Sequence, residues 1–127
     1  MKNKIIFIEY PKCSTCQKAK KFLEENKIEF IDRNIVTETP TCEELKIWIE
    51  KSGLPINKFF NTTGLLYRNM NLKEELKSCT DEEKIKFLAS NGMLIKRPIL
   101  ITSKEILLGF KLEDWQEKIA KKYKKIQ

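Results

Sequence analysis

The 127-residue chain contains no histidine, and this absence removes several kinds of functional site at once. Without an imidazole there is no zinc site of the Cys/His type and no histidine general base. The four cysteines stand at positions 13, 16, 42 and 79, which is not the two-pair spacing of a zinc ribbon. Acid–base help in a reaction must therefore come from a nucleophile with a shifted pKa, from arginine or lysine charges, or from the substrate.

Long apolar runs are also missing. The run Ile5-Ile6-Phe7-Ile8 is too short for the core of a signal peptide, and no later run approaches the length of a membrane span. We therefore expect a cytoplasmic protein with reduced thiols and no membrane contact. The net charge of +7 comes from lysines interleaved with glutamates, and only residues 118–125 are one-sidedly basic. Such a tail is more often a solvated helix end than an arm that binds nucleic acid directly.

Two cysteines, Cys13 and Cys16, follow the apolar run and open a segment with helical spacing. Interpreted as a strand, a tight turn and a helix, this pattern places Cys13 at the helix N-terminus, where free backbone N–H groups and the helix dipole favour an anion. Lys12 adds a positive charge. We therefore expect the pKa of Cys13 to lie below the value of about 8.5 for a free thiol, which makes Cys13 a nucleophile at neutral pH.

The other three cysteines have competing interpretations. Cys16 shares a helical stripe with Phe22 and Leu23, so it is either a small core residue or the second thiol of a redox pair, for which Cys-x-x-Cys beside a strand-helix unit is the typical pattern. Cys42 lies in the first turn of a later helix, and Cys79 lies just before another. Neither has a partner nearby in sequence, so both are interpreted as incidental.

The remaining pattern predicts the order β-α-β, a helical block, and β-β-α. Strands are expected over residues 4–9, 28–31, 99–102 and 106–110, and the longer helices over residues 13–26, 41–53, 80–92 and 112–123. Thr41 with Glu44 and Thr80 with Glu83 form capping boxes. The first two strands should be parallel and the last two an antiparallel hairpin. The order predicts an α/β fold with a mixed four-stranded sheet.

This order, with Cys-x-x-Cys at the first helix and Pro98 opening the third strand, is similar to the thioredoxin-like (glutaredoxin-like) fold. The resemblance implies a cis Arg97–Pro98 bond that lies near Cys13; a trans proline on an edge strand is the alternative. It also implies one domain over residues 1–127, with a core of about 1–54 and 93–127 and an all-helical insertion of about 55–92.

More narrowly, three segments resemble the ArsC/Spx family, which contains glutaredoxin-linked arsenate reductases and the redox-sensing transcription regulator Spx. These segments are Tyr10-Pro11-Lys12-Cys13-Ser14-Thr15-Cys16, Leu54-Pro55 with Phe59-Phe60-Asn61-Thr62, and Leu94-Ile95-Lys96-Arg97-Pro98-Ile99. In the reductases the first cysteine attacks the oxyanion, and three arginines bind it. Cys13 matches that cysteine and Arg97 the first arginine.

The other two arginine positions fall at Asn61 and near Gly109 or Phe110. Arg68 could substitute for one of these arginines only if the fold places it beside Cys13. Each lost charge-assisted hydrogen bond is worth on the order of 2 kcal/mol, which argues against efficient arsenate reduction. In Spx-like members the two cysteines form a reversible disulfide, and the protein binds the C-terminal domain of the RNA polymerase alpha subunit. Cys16 matches the second cysteine.

The predicted mechanism is attack by the Cys13 thiolate on a small oxyanion or disulfide. The substrate would be held by Lys12, by the backbone N–H groups of Ser14 and Thr15, and by Arg97 and Pro98, with Asn61 completing the site. Cys16, glutathione, glutaredoxin or thioredoxin would resolve the covalent intermediate. A metal or organic cofactor is not implied, and a monomer is expected. The alternative function is an Spx-like regulator that reports redox state to the polymerase alpha subunit.

Overall fold

The computed structural model describes residues 4–123, which form a thioredoxin-like α/β fold with a mixed four-stranded sheet. The strands are β1 Ile6–Glu9, β2 Ile31–Asn34, β3 Ile99–Ile101 and β4 Ile106–Leu108; the helices are α1 Ser14–Glu25, α2 Cys42–Ser52, α3 Leu65–Asn69, α4 Leu72–Glu75, α5 Asp81–Ser90 and α6 Leu112–Trp115. The chain divides into two compact units. One contains the residues up to Arg33 and from Arg97 onward, and the other is Asn34–Lys96.

The sheet has the strand order β2-β1-β3-β4. Strands β1 and β3 are antiparallel, with Ile8 opposite Ile99, and β3 and β4 form an antiparallel hairpin with Leu100 opposite Leu107. The predicted hairpin is therefore confirmed. All three residues of β3 are buried, as expected of a central strand.

The core of the first unit is built on aromatic side chains. Trp115 is only 1% exposed, and its ring meets those of Phe7, Phe22 and Phe110 edge-on or nearly so, with centroids 4.9–6.4 Å apart. Such edge-to-face pairs add to the free energy gained from burying the rings. The remaining buried members of this cluster are apolar residues in α1, β3 and the C-terminal helix or in the segments next to β1 and α1: Ile5, Ala19, Leu23, Ile28, Leu100 and Ile119.

The second strand begins three residues later than predicted. Residues 28–31 were expected to be extended, but β2 is Ile31–Asn34. The cause is the end of α1, where Lys27 takes a left-handed conformation with φ of 56°. The N–H of Lys27 donates to the Glu24 carbonyl and that of Ile28 to the Leu23 carbonyl, which is the hydrogen-bond pattern of a Schellman motif. The residues that follow α1 therefore close the helix, and β2 begins only after them.

The second unit is helical, and its boundaries follow local signals in the sequence. Thr41 and Glu44 form the predicted capping box of α2, and Thr80 and Glu83 form that of α5. Gly53 ends α2 in a left-handed conformation with φ of 69°. Between these helices lie α3, α4 and short 3-10 turns, within the predicted helical block. Helix α2 belongs to this unit, and the extent of a helical insertion stays a prediction.

The C-terminal helix starts as α6, passes through a π-helical turn at Gln116–Ala120, and continues over Lys121–Tyr123. Trp115 and Ile119 are buried, as the helical spacing predicted. The last two lysines of the basic tail, at positions 124 and 125, lie outside the described residues. Of the helices that the structure describes, none is long and apolar enough to cross a membrane.

Candidate active site

A tight turn carries the chain from β1 into α1 and places Cys13 at the helix N-terminus. The N–H of Cys13 donates to the Tyr10 carbonyl at 2.9 Å, and Gln17 Nε2 donates to the Pro11 carbonyl at 2.9 Å. Cys13 is the N-cap residue of α1, with extended backbone angles, and its carbonyl accepts the N–H of Gln17 at 3.0 Å. The N-terminal position that the sequence predicted for this cysteine is therefore where the structure places it.

The sulfur of Cys13 lies in surroundings that favour its ionised form. Burial by itself would raise the pKa of this thiol, but the backbone amide and the thiol of Cys16 act against it. The positive charge of Arg97 and the amide of Thr15 lower the pKa further, so that it lies below its ordinary value. The sulfur makes no capping hydrogen bond of full geometry, so these amides act mainly as converging dipoles. Cys13 is half-buried, so a substrate can reach it.

Cys16 has the opposite character. It is fully buried on the inner face of α1, and burial raises its pKa to about 12 despite the favourable backbone amide of Tyr10. A thiolate at Cys13 adds to this effect, because two neighbouring negative charges repel each other. The pair thus consists of one ionisable, accessible sulfur and one protonated, buried sulfur. This division suits a nucleophile and a resolving thiol, and Cys16 is at the same time a core residue.

Arg97 brings a positive charge to the pair from the start of β3. The Arg97–Pro98 peptide bond is cis, as the family resemblance implied. The guanidinium carbon lies 5.2 Å from the centre of the Tyr10 ring. Arg97 Nε and Nη1 are buried and have no hydrogen-bond partner among the described residues. Two buried donors without an acceptor are costly, and an anionic substrate group would supply one.

Pro98 is buried, and its carbonyl accepts the N–H of Gly109 at 2.8 Å. Gly109 takes a left-handed conformation with φ of 72°, which ends β4 two residues before the predicted Phe110. This contact ties the turn after β4 to the proline beside Arg97. A role for Pro98 in holding a substrate stays a prediction.

Three further predicted site residues lie on the exposed side of the turn. Lys12, Ser14 and Thr15 are all solvent-exposed, and the amide of Thr15 contributes to the lowered pKa of Cys13. The positive charge that acts on the Cys13 pKa is that of Arg97. Roles for Lys12 and Ser14 in holding a substrate stay predictions.

Asn61 and Arg68 belong to the second unit. The Asn61 side chain is engaged locally, since Nδ2 donates to the Met93 carbonyl at 3.5 Å and Oδ1 accepts from the Thr63 hydroxyl at 3.3 Å. Arg68 is exposed on α3. The proposed part of Asn61 in substrate binding stays a prediction.

The remaining cysteines show no redox partner among the described residues. Cys42 is exposed in the first turn of α2 and is a free thiol. Cys79 is half-buried and free, and its sulfur donates to the Glu75 carbonyl at 3.3 Å. Both fit the interpretation that they are incidental.

One cluster near the cysteines was missed by the sequence reasoning. Glu9, the last residue of β1, is 3% exposed and lies beside Lys20 of α1 and Asp32 of β2. The sequence did contain a sign of this cluster. Side chains two residues apart on a strand point to the same face, so Glu9 points to the core side together with Ile5 and Phe7. Burial, together with a hydrogen bond to Asp32, raises the pKa of Glu9 to about 7.

Residues 8–118 match the model of the ArsC family. The chain belongs to the ArsC family. Among curated relatives, the uncharacterized protein YusI of Bacillus subtilis is 47% identical over 91% of this chain and 98% of its own length. The regulatory protein MgsR of the same organism is 34% identical over 87% of this chain and 86% of its own length.

A solved structure from Streptococcus mutans UA159, described as a possible arsenate reductase, superposes with a TM-score of 0.82. It is 39% identical, and the match covers 91% of this chain and 99% of that one. This ArsC-family chain is therefore similar both to a possible arsenate reductase and to a regulatory protein.

Proposed function

We propose that this chain is a thiol-dependent oxidoreductase in which Cys13 is the nucleophile and Cys16 the resolving thiol. The observation that carries the proposal is the position of the Cys13 sulfur at the start of α1, under the positive charge of Arg97 and with a lowered pKa. The unpartnered Nε and Nη1 of Arg97 supply hydrogen-bond donors for a negatively charged group of the substrate. Similarity to reductase-like members of the family supports the same function.

For a disulfide substrate, the proposed reaction has two steps. The Cys13 thiolate attacks one sulfur, a Cys13–substrate disulfide forms, and the other substrate sulfur leaves as a thiolate. Cys16 then loses its proton to solvent and attacks the Cys13 sulfur, which expels the second substrate thiolate and leaves a Cys13–Cys16 disulfide. The substrate gains two electrons and the cysteine pair loses two. Glutathione, glutaredoxin or thioredoxin would return the pair to the thiol form.

For arsenate, the Cys13 sulfur would replace one oxygen, which leaves as water after protonation by solvent or by the arriving thiol. Attack by a second thiol on the Cys13 sulfur would then give arsenite and a disulfide. We propose that disulfides are the better substrates, because Arg97 is the one arginine of the family's three that the sequence matches. We also propose that the protein works as a monomer in the cytoplasm, where its thiols stay reduced.

The decisive experiment is glutathione-coupled turnover with a small disulfide or with arsenate as the oxidant. The wild-type protein should reduce the disulfide, Cys13→Ser should abolish turnover, and Cys42→Ser should retain it, because Cys42 is an exposed thiol in the second unit. Undiminished turnover in Cys13→Ser would remove the basis of the proposal.

A second function is an Spx-like redox regulator that binds the C-terminal domain of the RNA polymerase alpha subunit. Its support is the similarity to the regulatory protein MgsR and the presence of Cys16 beside Cys13. Retention of the purified alpha-subunit domain on immobilised protein, with a difference between the reduced and the oxidised form, together with absent turnover, would favour this function over the enzyme.

A further inference from the structure

Three charged side chains meet at the end of β1 and have no part in the proposed mechanism. Glu9 and Asp32 share a hydrogen bond, although both are carboxyl groups. Lys20 Nζ lies 2.9 Å from Asp32 Oδ2 and 3.7 Å from Glu9 Oε2. The side chain of Glu9 is 4% exposed, whereas those of Lys20 and Asp32 are each 39% exposed, so Glu9 is the buried member of the cluster.

Two carboxyl groups in hydrogen-bond contact require a proton between them. Burial raises the pKa of Glu9 to about 7, and the hydrogen bond and charge of Asp32 act in the same direction. Burial would also raise the pKa of Asp32, but the hydrogen bond from Glu9 and the pairing with Lys20 lower it. The charged groups that act on Glu9 are thus Asp32 from β2 and Lys20 from α1, and Glu24 acts in turn on Lys20. The cluster is neutral with its proton and carries one negative charge without it.

Two parts of the backbone connect this cluster to Cys16. The backbone amide of Tyr10, which interacts with the Cys16 sulfur, belongs to the peptide unit that follows Glu9. On α1, Lys20 stands one turn after Cys16, and residues four apart on a helix have their Cβ atoms roughly 5–6 Å from each other. The cluster therefore comes near Cys16 in two places: at the peptide unit between Glu9 and Tyr10, whose N–H interacts with the Cys16 sulfur, and at the next turn of α1, which carries Lys20.

We propose that the charge state of the Glu9–Asp32 pair controls the reactivity of Cys16, with Glu9 as a positioning residue for the resolving step; this rests on the proposed function. While the pair holds its proton, the cluster adds no net charge beside Cys16. Once the proton leaves, the added negative charge opposes formation of the Cys16 thiolate. The rate of the resolving step then rises less steeply with pH than it would if Cys16 ionised as an isolated thiol.

The test uses an aromatic disulfide whose two halves are released as coloured thiolates, with the whole chain in a Cys42→Ser/Cys79→Ser background. The first release reports attack by Cys13, and the second reports attack by Cys16 on the Cys13–reagent disulfide. Rates are followed over roughly pH 6 to 9 for the background protein, for Glu9→Gln, and for Glu25→Gln as the control. Glu9→Gln keeps a hydrogen-bonding group but not the titration, whereas Glu25 is an exposed residue at the end of α1.

In Glu9→Gln we expect an unchanged first release and, at the alkaline end, a second release about three- to tenfold faster than in the background protein. At the acidic end the two proteins should agree, and Glu25→Gln should behave as the background protein throughout. In Asp32→Asn, Glu9 is left to pair with Lys20 alone, so the pKa of Glu9 should fall. The pH at which the rate of the second release stops rising as steeply should then also be lower. An unchanged first release also shows that the variant is folded.

The same measurements distinguish a failure of the proposed function from a failure of the control by the carboxyl pair. Without any first release attributable to Cys13, the proposed function is wrong. With a normal first release and a second release in Glu9→Gln that follows the background profile, or is slower than it, control by the carboxyl pair is overturned and the proposed function stands.

Discussion

The guanidinium of Arg97 lies over the ring of Tyr10, with its Cζ atom 5.2 Å from the ring centroid. Tyr10 also begins the turn that ends at Cys13, because its carbonyl accepts the Cys13 N–H. One residue thus holds both the turn that positions the sulfur and the arginine whose charge acts on it. Stacking on an aromatic face leaves the N–H groups at the guanidinium edge available, and two of them have no partner among the described residues.

Removal of the Arg97 charge should make Cys13 less acidic. Burial raises the pKa of Cys13, and the Cys16 contacts and the charge of Arg97 oppose that effect. In Arg97→Gln we expect the pKa of Cys13 to rise, measured as the midpoint of its alkylation rate against pH. Arg97→Lys should rescue part of the shift, and Arg68→Gln, at an exposed arginine, should leave the midpoint in place. A midpoint in Arg97→Gln equal to that of the wild type would contradict this account.

The thiol of Cys16 should stabilise the Cys13 thiolate as a hydrogen-bond donor. Burial has the largest effect on the pKa of Cys13 and raises it. The backbone amide of Cys16 comes second and the hydrogen bond with its side chain third, and both lower this pKa. Cys16→Ala removes this donor and should raise the alkylation midpoint of Cys13, whereas Cys16→Ser keeps an O–H group and should raise it less. The midpoint in Cys16→Ser should therefore lie between those of the wild type and of Cys16→Ala. Equal midpoints in Ala and Ser variants would show that the side chain of residue 16 has no such part.

Folding stability should fall as the pH rises from about 4.5 to about 7. Glu9 ionises near pH 4.5 when unfolded but, because of burial and Asp32, only near pH 7 when folded. Between these values the folded state holds the extra proton, so its stabilising effect is complete at the acidic end and is lost as pH rises to about 7. We expect a loss on the order of 3 kcal/mol in the free energy of unfolding, measured with denaturant.

Asp32 contributes in the opposite sense. Although burial opposes it, Glu9 and Lys20 hold the pKa of Asp32 below its ordinary value, so its contribution is present above that value and lost in acid. The two effects therefore occupy different pH ranges. Glu9→Gln should remove the decline between about pH 4.5 and pH 7, and Glu25→Gln should keep it. A flat profile in the wild type would mean that Glu9 ionises normally in the folded protein.

Local signals in the sequence predicted most of the helix ends. Both capping boxes are present, Gly53 ends α2, and Cys13 is the N-cap of α1, because each of these features depends on a few neighbouring residues. The shift of β2 could not be predicted in this way. Lys27 takes a left-handed conformation that lysine rarely adopts, and this conformation closes α1 while Leu23 and Ile28 are buried in the same apolar cluster.

The site was predictable only in part, because half of it comes from the far end of the chain. Spacing alone indicated the ionised Cys13, but the position of Arg97 came from the family resemblance. The Glu9–Lys20–Asp32 cluster joins one helix and two strands, so its members become neighbours only once the sheet is formed. An acidic residue in an otherwise apolar strand was its one sign in the sequence.

Gly92 lies at a position that has no room for a side chain. A Cβ atom there would collide with the backbone carbonyl of Ile35, which cannot swing aside. Gly92→Ala should therefore lower the free energy of unfolding by about 1–3 kcal/mol or more, measured by denaturant unfolding. At Gly64 an added Cβ would mainly meet the side-chain amide of Asn61, which can rotate, so Gly64→Ala should cost less. Equal losses in the two variants would show that the segment around Ile35 yields as easily as a side chain.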